Sequence, residues 1–164
     1  MKSTIWHLEM TSPDELAAVE VDARLELLEG LQAATSARLY REIGAGWQWR
    51  DRLVWSDGDW AERVSRDDVR SCQVRFAGEE AGWVEMERQG AGSVEIVYLG
   101  LLPPWVGRGL GGGLLTLAVL RAWELTGTRR VWLHTCSEDH PAALANYQKR
   151  GFRLFKTEVK ELGS

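Results

Sequence analysis

With 164 residues, 45% hydrophobic and 27% charged, the chain is sized and balanced for one folded domain, not for a disordered tract. The net charge of −4 argues against a general grip on nucleic-acid phosphates, which needs a basic face. It still allows one phosphate-bearing ligand held by backbone amides. No apolar run reaches the roughly 20 residues of a membrane span, and Met1–His7 has no secretion-signal core, so a cytoplasmic location and no membrane partner are expected. Cys72 and Cys136 match no metal or disulfide spacing.

In chain order, Ile5–Met10 reads as a strand. Ser12 caps a brief helix with Pro13 at its first position, and the alternation over Arg24–Glu29 predicts a second strand. Ala33, Ser36, Leu39, Tyr40 and Ile43 share one face of a helix over Gln32–Ile43, with Gly44 as its stop. Ser56-Asp57-Gly58-Asp59 caps another helix reaching about Val69. Ser71–Ala77, Gly82–Arg88 and Val94–Leu101, joined by the tight turns Gly78–Glu80 and Gln89–Gly92, form an antiparallel meander. A long helix comes next over Gly109–Thr126, with Leu114, Leu117, Ala118 and Leu125 on one face and Gly127 at its end. Arg130–Thr135 is a strand, Pro141–Lys149 a short helix and Phe152–Lys160 a final strand. The fold class is α/β: a mixed central sheet with helices on both faces, antiparallel early and with a strand-helix-strand parallel crossover late.

The stretch Leu102–Leu115 contains five glycines, Gly107, Gly109, Gly111, Gly112 and Gly113, around a helix start. A helical glycine costs about 0.8–1.0 kcal/mol against alanine. Such a cluster is retained where the backbone needs positive φ or close approach to something. Open amides at a helix N-terminus suit a pyrophosphate. The alternative is a turn needed only for close helix–sheet packing. The Walker pattern is missing, since no Lys-Ser or Lys-Thr comes after it, and the dinucleotide glycine spacing is not met either.

The neighbouring residues carry a resemblance. One frame, Arg or Gln, two residues, Gly, one residue, Gly or Ala, falls on Val106, Gly109 and Gly111. A second, Asn-x-x-Ala, three residues, Tyr, three residues, Gly-Phe, falls on His140, Ala143, Tyr147, Gly151 and Phe152. In this order the two frames resemble the GNAT superfamily of N-acetyltransferases over about Val94–Phe152, with departures at Val106 and His140. The resemblance implies a single acyltransferase domain over 1–164, with an acceptor side over 1–70 and a coenzyme A-binding core over 71–162. It implies direct transfer of an acetyl group from acetyl-CoA, the cosubstrate, to a primary amine of a small molecule or protein. A non-catalytic acyl-CoA-binding or sensor module on the same fold is the other reading. Partners then are the amine acceptor and, as an open option, a second copy of the chain.

The same resemblance assigns cofactor contacts to Leu99, Leu101, Val106, Gly107, Arg108, Gly109, Leu110, Gly111, Gly112, His140 and Ala143, with Arg108 supplying charge in place of the missing Arg or Gln. Tyr147 stands where the family often has the acid near the cofactor sulfur; the other role for its ring is packing on the sheet. Glu95 is the base candidate, expected to share a strand face with Val97 and Leu99, opposite Val94, Ile96 and Tyr98. His134, which titrates near neutrality, is the second base candidate. No metal is expected, because His134, Cys136 and His140 have no evident further ligand. Nine tryptophans are present, five of them in the first 60 residues. Trp47, Trp49 and Trp55 are candidates to line an acceptor pocket, with Asp57 and Asp59 adding negative charge that favours an amine.

Overall fold

Alternating and helical periodicities become seven strands and four helices in the computed structural model, which describes residues 2–161. They run β1 (Lys2–Met10), β2 (Leu25–Glu29), α1 (Ala33–Gly44), α2 (Asp57–Ser65), β3 (Val69–Phe76), β4 (Glu79–Arg88), β5 (Ser93–Leu101), α3 (Gly111–Glu124), β6 (Arg130–Cys136), α4 (Ala143–Lys149) and β7 (Arg153–Glu161). The brief helix after β1 is a single 3-10 turn, Pro13–Glu15, with the Ser12 hydroxyl accepting from the Asp14 amide at 3.2 Å. All strands share one sheet in the order β2-β3-β4-β5-β6-β1-β7. The β3-β4-β5 meander is antiparallel, and the passage through α3 makes β5 and β6 the parallel pair. The second strand-helix-strand passage, through α4, brings no neighbours together, because β1 pairs antiparallel with both β6 and β7 and separates them.

Each face of the sheet has its own core. On one face α3 buries Leu114, Leu115, Ala118, Val119 and Ala122 against Val84, Val94, Ile96 and Val131. The buried stripe sits one position round from the expected face, since Leu115 and Val119 are fully enclosed and Leu117 only partly. Each fully buried leucine or valine contributes about 1.5–3 kcal/mol. On the other face α1 lays Ala37, Leu39, Tyr40 and Ile43, with Trp60 of α2, over Trp83. Ser36 and Ser71 meet there at 2.8 Å, and Ser71 also accepts from the Trp83 indole at 2.8 Å, so the polar atoms of these three side chains are satisfied.

Two helix ends differ from their sequence reading. α2 stops at Ser65 rather than near Val69, because Arg66 is already extended (ψ 136°) and Val69 opens β3. Gly44 is the last residue of α1, not a left-handed stop. Its missing side chain admits Trp49 instead: a Cβ there would lie 2.7 Å from Trp49 Cβ. Gly100 serves the same packing, since a Cβ would lie 2.6 Å from Ile43 Cγ2.

The register of β5 decides which face each of its side chains joins. Glu85 pairs with Tyr98 but Met86 pairs with Ile96, so Val97 is an extra residue, a β-bulge. The alternation therefore flips at Val97. Glu95 and Tyr98 share the α1/α2 face, while Ile96 and Leu99 share the α3 face with Val94, so Glu95 lies opposite Val94 and Ile96 as expected but has Tyr98, not Leu99, on its own face. β5 pairs with β6 only through Ser93, Val94 and Glu95. Beyond Glu95 the two strands part.

Candidate active site

The gap between the parted strands opens a cavity of about 1050 Å³. Ile96–Leu101 form one wall and Leu133, His134 and Cys136 the other, with the glycine turn at one end and α4 alongside.

The glycine turn supplies an anion site. Gly107 and Gly109 have φ of 82° and 76°, values that favour glycine, and nothing lies within 4 Å of where a Cβ would sit on either. α3 then begins after Leu110 with no side-chain cap, and Gly111 and Gly112 of its first turn face the cavity. α2 shows the contrast: there Ser56 and Asp59 form a capping box that takes up the end amides. An uncapped N-terminus carries free N–H groups and the positive end of the helix dipole, which together hold a phosphate. Leu99 and Leu101 run along the cavity on a stretch of β5 that β6 no longer pairs, leaving backbone groups for an extended ligand arm. Val106, Leu110, His140 and Ala143 also line it. These residues fit a pyrophosphate on a thin, amide-bearing arm.

Arg108 does not take the place assigned to it. Its guanidinium lies 4.7 Å above the Trp105 ring and borders a separate small pocket with Val19, Glu20 and Asp22. A second cation that the sequence did not reveal lies beside the helix start without lining the cavity: Arg150 Nη1 is 3.6 Å from where a Cβ of Gly112 would be. Its Nε is buried with no hydrogen-bond partner. A positive side chain beside the positive end of α3 is unfavourable unless an anion joins them.

At the centre of the cleft, His134 opens into the cavity and its Nδ1 lies 3.5 Å from Glu95 Oε2. Glu95 is 8% exposed and sits behind His134 instead of lining the cavity. The hydrogen bond to Glu95 raises the His134 pKa above its ordinary value against the opposing effect of burial, with Asp139 and Asp51 adding to the rise. The structure thus separates the two base candidates by position. His134 faces the cavity, and Glu95 lies behind it within reach of its Nδ1.

Tyr147 of α4 lines the cavity, with its ring edge-on to Phe152 at 6.2 Å between centroids. Burial, and secondarily Asp139, push its phenol well above the ordinary tyrosine value, so it holds its proton at neutral pH. Its packing and its place at the cavity coexist.

Trp47, Trp49 and Trp55 all line the outer part of the cavity. Trp47 lies 4.9 Å from the His140 ring, and Trp49 lies 4.8 Å from Tyr98. Beneath them is a buried ion cluster with no signature in the sequence. Arg52 grips fully buried Glu85 with two hydrogen bonds of 2.7 and 2.6 Å, Arg63 adds a third at 2.9 Å, and the Arg52 guanidinium lies 4.3 Å over Trp55. Asp57 and Asp59 belong to the first turn of α2 and stay outside the cavity. The acidic lining comes from Asp51, Glu138, Asp139 and Glu161 instead, with Glu138 paired to Arg50 at 3.0 Å. Among the described residues, no group of three or more His, Cys, Asp and Glu is arranged to hold a metal ion, and no helix is long and apolar enough to cross a membrane.

This arrangement has relatives. A GCN5-related N-acetyltransferase from Sphaerobacter thermophilus superposes with a TM-score of 0.72 at 20% identity, over 96% of this chain and 50% of its own. One from Kribbella flavida gives 0.66 at 18% identity, over 97% and 56%. An aminoglycoside acetyltransferase from an uncultured soil metagenomic sample gives 0.60 at 16% identity, over 80% and 90%. The chain spans about half the length of the first two, and at these identities the likeness is one of fold. No curated protein matches the sequence. The model of the acetyltransferase (GNAT) family matches residues 31–152, from just before α1 through the meander, the glycine turn and Tyr147 to Phe152. On that match, the chain belongs to the GNAT family.

Proposed function

We propose that the chain transfers an acetyl group from acetyl-CoA to a primary amine of a small molecule or protein by direct attack. The observation that carries this reading is the shared cleft. One cavity holds a carboxylate-backed histidine, a protonated tyrosine and an uncapped helix N-terminus. Bound acetyl-CoA supplies a thioester carbonyl. Gly111 and Gly112, with Arg150 beside them, hold its pyrophosphate, and β5 lies along its pantetheine arm. His134 takes the proton that the ammonium group must lose to become a nucleophile. Tyr147 holds a proton for the sulfur as the C–S bond breaks and the C–N bond forms. Asp51 and Asp139 favour a cationic acceptor, and Trp47, Trp49 and Trp55 favour one whose amine sits on an apolar body.

The test is incubation with acetyl-CoA and a panel of amines, monitoring thiol release. Release by the native protein, with a lower kcat and unchanged CoA affinity in Tyr147→Phe, is expected. Thermal stabilisation by CoA with no turnover on any amine would make the chain a binding or sensor module instead. No effect of CoA at all would remove both readings. Arg150→Met is expected to raise the Kd for CoA about tenfold, or about 1.4 kcal/mol, the scale of one charge-assisted contact. Calorimetric titration of CoA into the two proteins checks this, and equal affinities would take Arg150 out of the site.

A further inference from the structure

We propose that Gln89, held in one orientation by Trp132, is a positioning residue that keeps the Glu95 carboxylate turned toward His134. The inference rests on the reading of His134 as the base, and it concerns a side chain outside the cavity lining.

Gln89 stands just after β4, at the start of the turn into β5. A glutamine amide has an accepting end and a donating end of nearly the same shape, so its neighbours decide which way it points. The Trp132 indole N–H can only donate, and it lies 2.9 Å from Gln89 Oε1. The accepting end is thereby fixed on Trp132, and the NH₂ end must face the other way. It meets two carboxylates there: Glu95 Oε1 at 2.9 Å and Glu87 Oε2 at 3.2 Å.

Those two carboxylates are direct partners across β4 and β5. Like charges directly opposite each other on a sheet repel and tend to turn apart. Gln89 relieves this by giving one N–H to each. The remaining oxygens are engaged separately. Glu87 Oε1 accepts from Arg63 at 3.0 Å, with Arg66 at 3.2 Å, and Glu95 Oε2 faces His134. The polar contacts then run unbroken from Arg52 through Glu85, Arg63, Glu87, Gln89 and Glu95 to His134. Both ends of that chain line the same cavity, one under the aromatic acceptor wall and one at the reacting centre. Every other link in it is an ionisable side chain, and Gln89 alone is not.

The other groups around His134 are His7 of β1, with rings 5.7 Å apart, Glu158 of β7, which bonds His7 at 2.7 Å, and the loop carboxylates Asp139 and Asp51. None of these touches Gln89 by a hydrogen bond. Removing the amide therefore acts on His134 through Glu95 and leaves their influence in place. With Gln89 absent, Glu95 Oε1 loses its donor, the carboxylate turns away from His134, and the His134 imidazolium loses its main support. The His134 midpoint falls.

The test tracks the His134 ring by NMR titration of the ligand-free protein in four forms: native, Gln89→Leu, Trp132→Phe and Glu95→Gln. The expected result is a lower His134 midpoint in Gln89→Leu, in the same direction as in Glu95→Gln. Trp132→Phe keeps an aromatic ring but frees the amide to rotate, so a smaller fall is expected. It also decides the matter should Gln89→Leu fail to fold. A native midpoint in Gln89→Leu, or in Trp132→Phe where only that variant folds, overturns the proposal. A fall in Gln89→Leu alone assigns the role to Gln89 without the tryptophan lock. In turnover, the acidic limb of kcat/KM moves to lower pH in Gln89→Leu, with the amine KM unchanged. If no amine is acetylated, the proposed reaction fails while the titration still decides the role of Gln89.

Discussion

Glu85→Ala is expected to lower the unfolding free energy by about 3–5 kcal/mol, the cost of removing one member of a buried ion pair. Glu85 is fully buried and takes three short hydrogen bonds from Arg52 and Arg63, whose side chains are only 7% and 12% exposed. Alanine leaves two guanidinium groups facing each other without the charge between them. Domains of this size are stable by about 5–15 kcal/mol, so the variant approaches the unfolding threshold. Urea denaturation of the two proteins checks this. A loss under about 1 kcal/mol would show that the cluster behaves as a solvated surface pair. Glu85→Gln keeps the shape and some hydrogen bonds and is expected to lose less. Because the Arg52 guanidinium also lies 4.3 Å over Trp55 and 4.8 Å over Tyr98, folded variants should bind the amine acceptor more weakly.

His134→Gln is expected to lower kcat/KM at neutral pH by about 100-fold, the lower end of what a positioned acid or base contributes. CoA affinity should not change, since the phosphate-holding amides lie on α3. A base works only when neutral. Glu95 raises the His134 pKa, so activity in the native protein should rise with pH through a midpoint above the ordinary histidine value. That acidic limb should vanish in His134→Gln and move to lower pH in Glu95→Gln. Full activity and an unchanged pH profile in His134→Gln would pass the role of base to a water or to another side chain.

What could be read from the sequence was local. The meander, the glycine turn and the Ala143–Tyr147–Gly151-Phe152 frame are set by spacings within a few residues, and the cavity brings Val106, Gly107, Leu110, Tyr147, Ala143 and His140 together. What escaped depends on register or on distant partners. Val97 looks like any strand residue, yet as a bulge it reverses the faces of everything after it, and with them the expected surroundings of Glu95. Arg52 lies in an irregular stretch and finds Glu85 33 residues away. Gln89 reads as part of a turn, and only its contacts with Trp132 and Glu95 distinguish it. Arg108 lies over Trp105 instead of in the cavity, because a long, flexible side chain can reach either side of a glycine turn. Asp57 and Asp59 were drawn into a helix start, which such residues favour ahead of a hydrophobic run.

The position of β1 between β6 and β7 has a consequence for the order of assembly. His7 is paired with His134, and Ile5 with both Cys136 and Glu158, so β1 waits for β6 and β7, far along the sequence, before it can be enclosed. Closing loops of well over about 100 residues is entropically costly and slow. Until then Leu8 and Met10, both fully buried at the end, stay open to wrong partners, and the β6 edge that pairs with β1 has no neighbour. The wall that carries His134 is therefore among the last parts of the molecule to form, and a chain cut short of β7 should hold the glycine turn without a finished cleft.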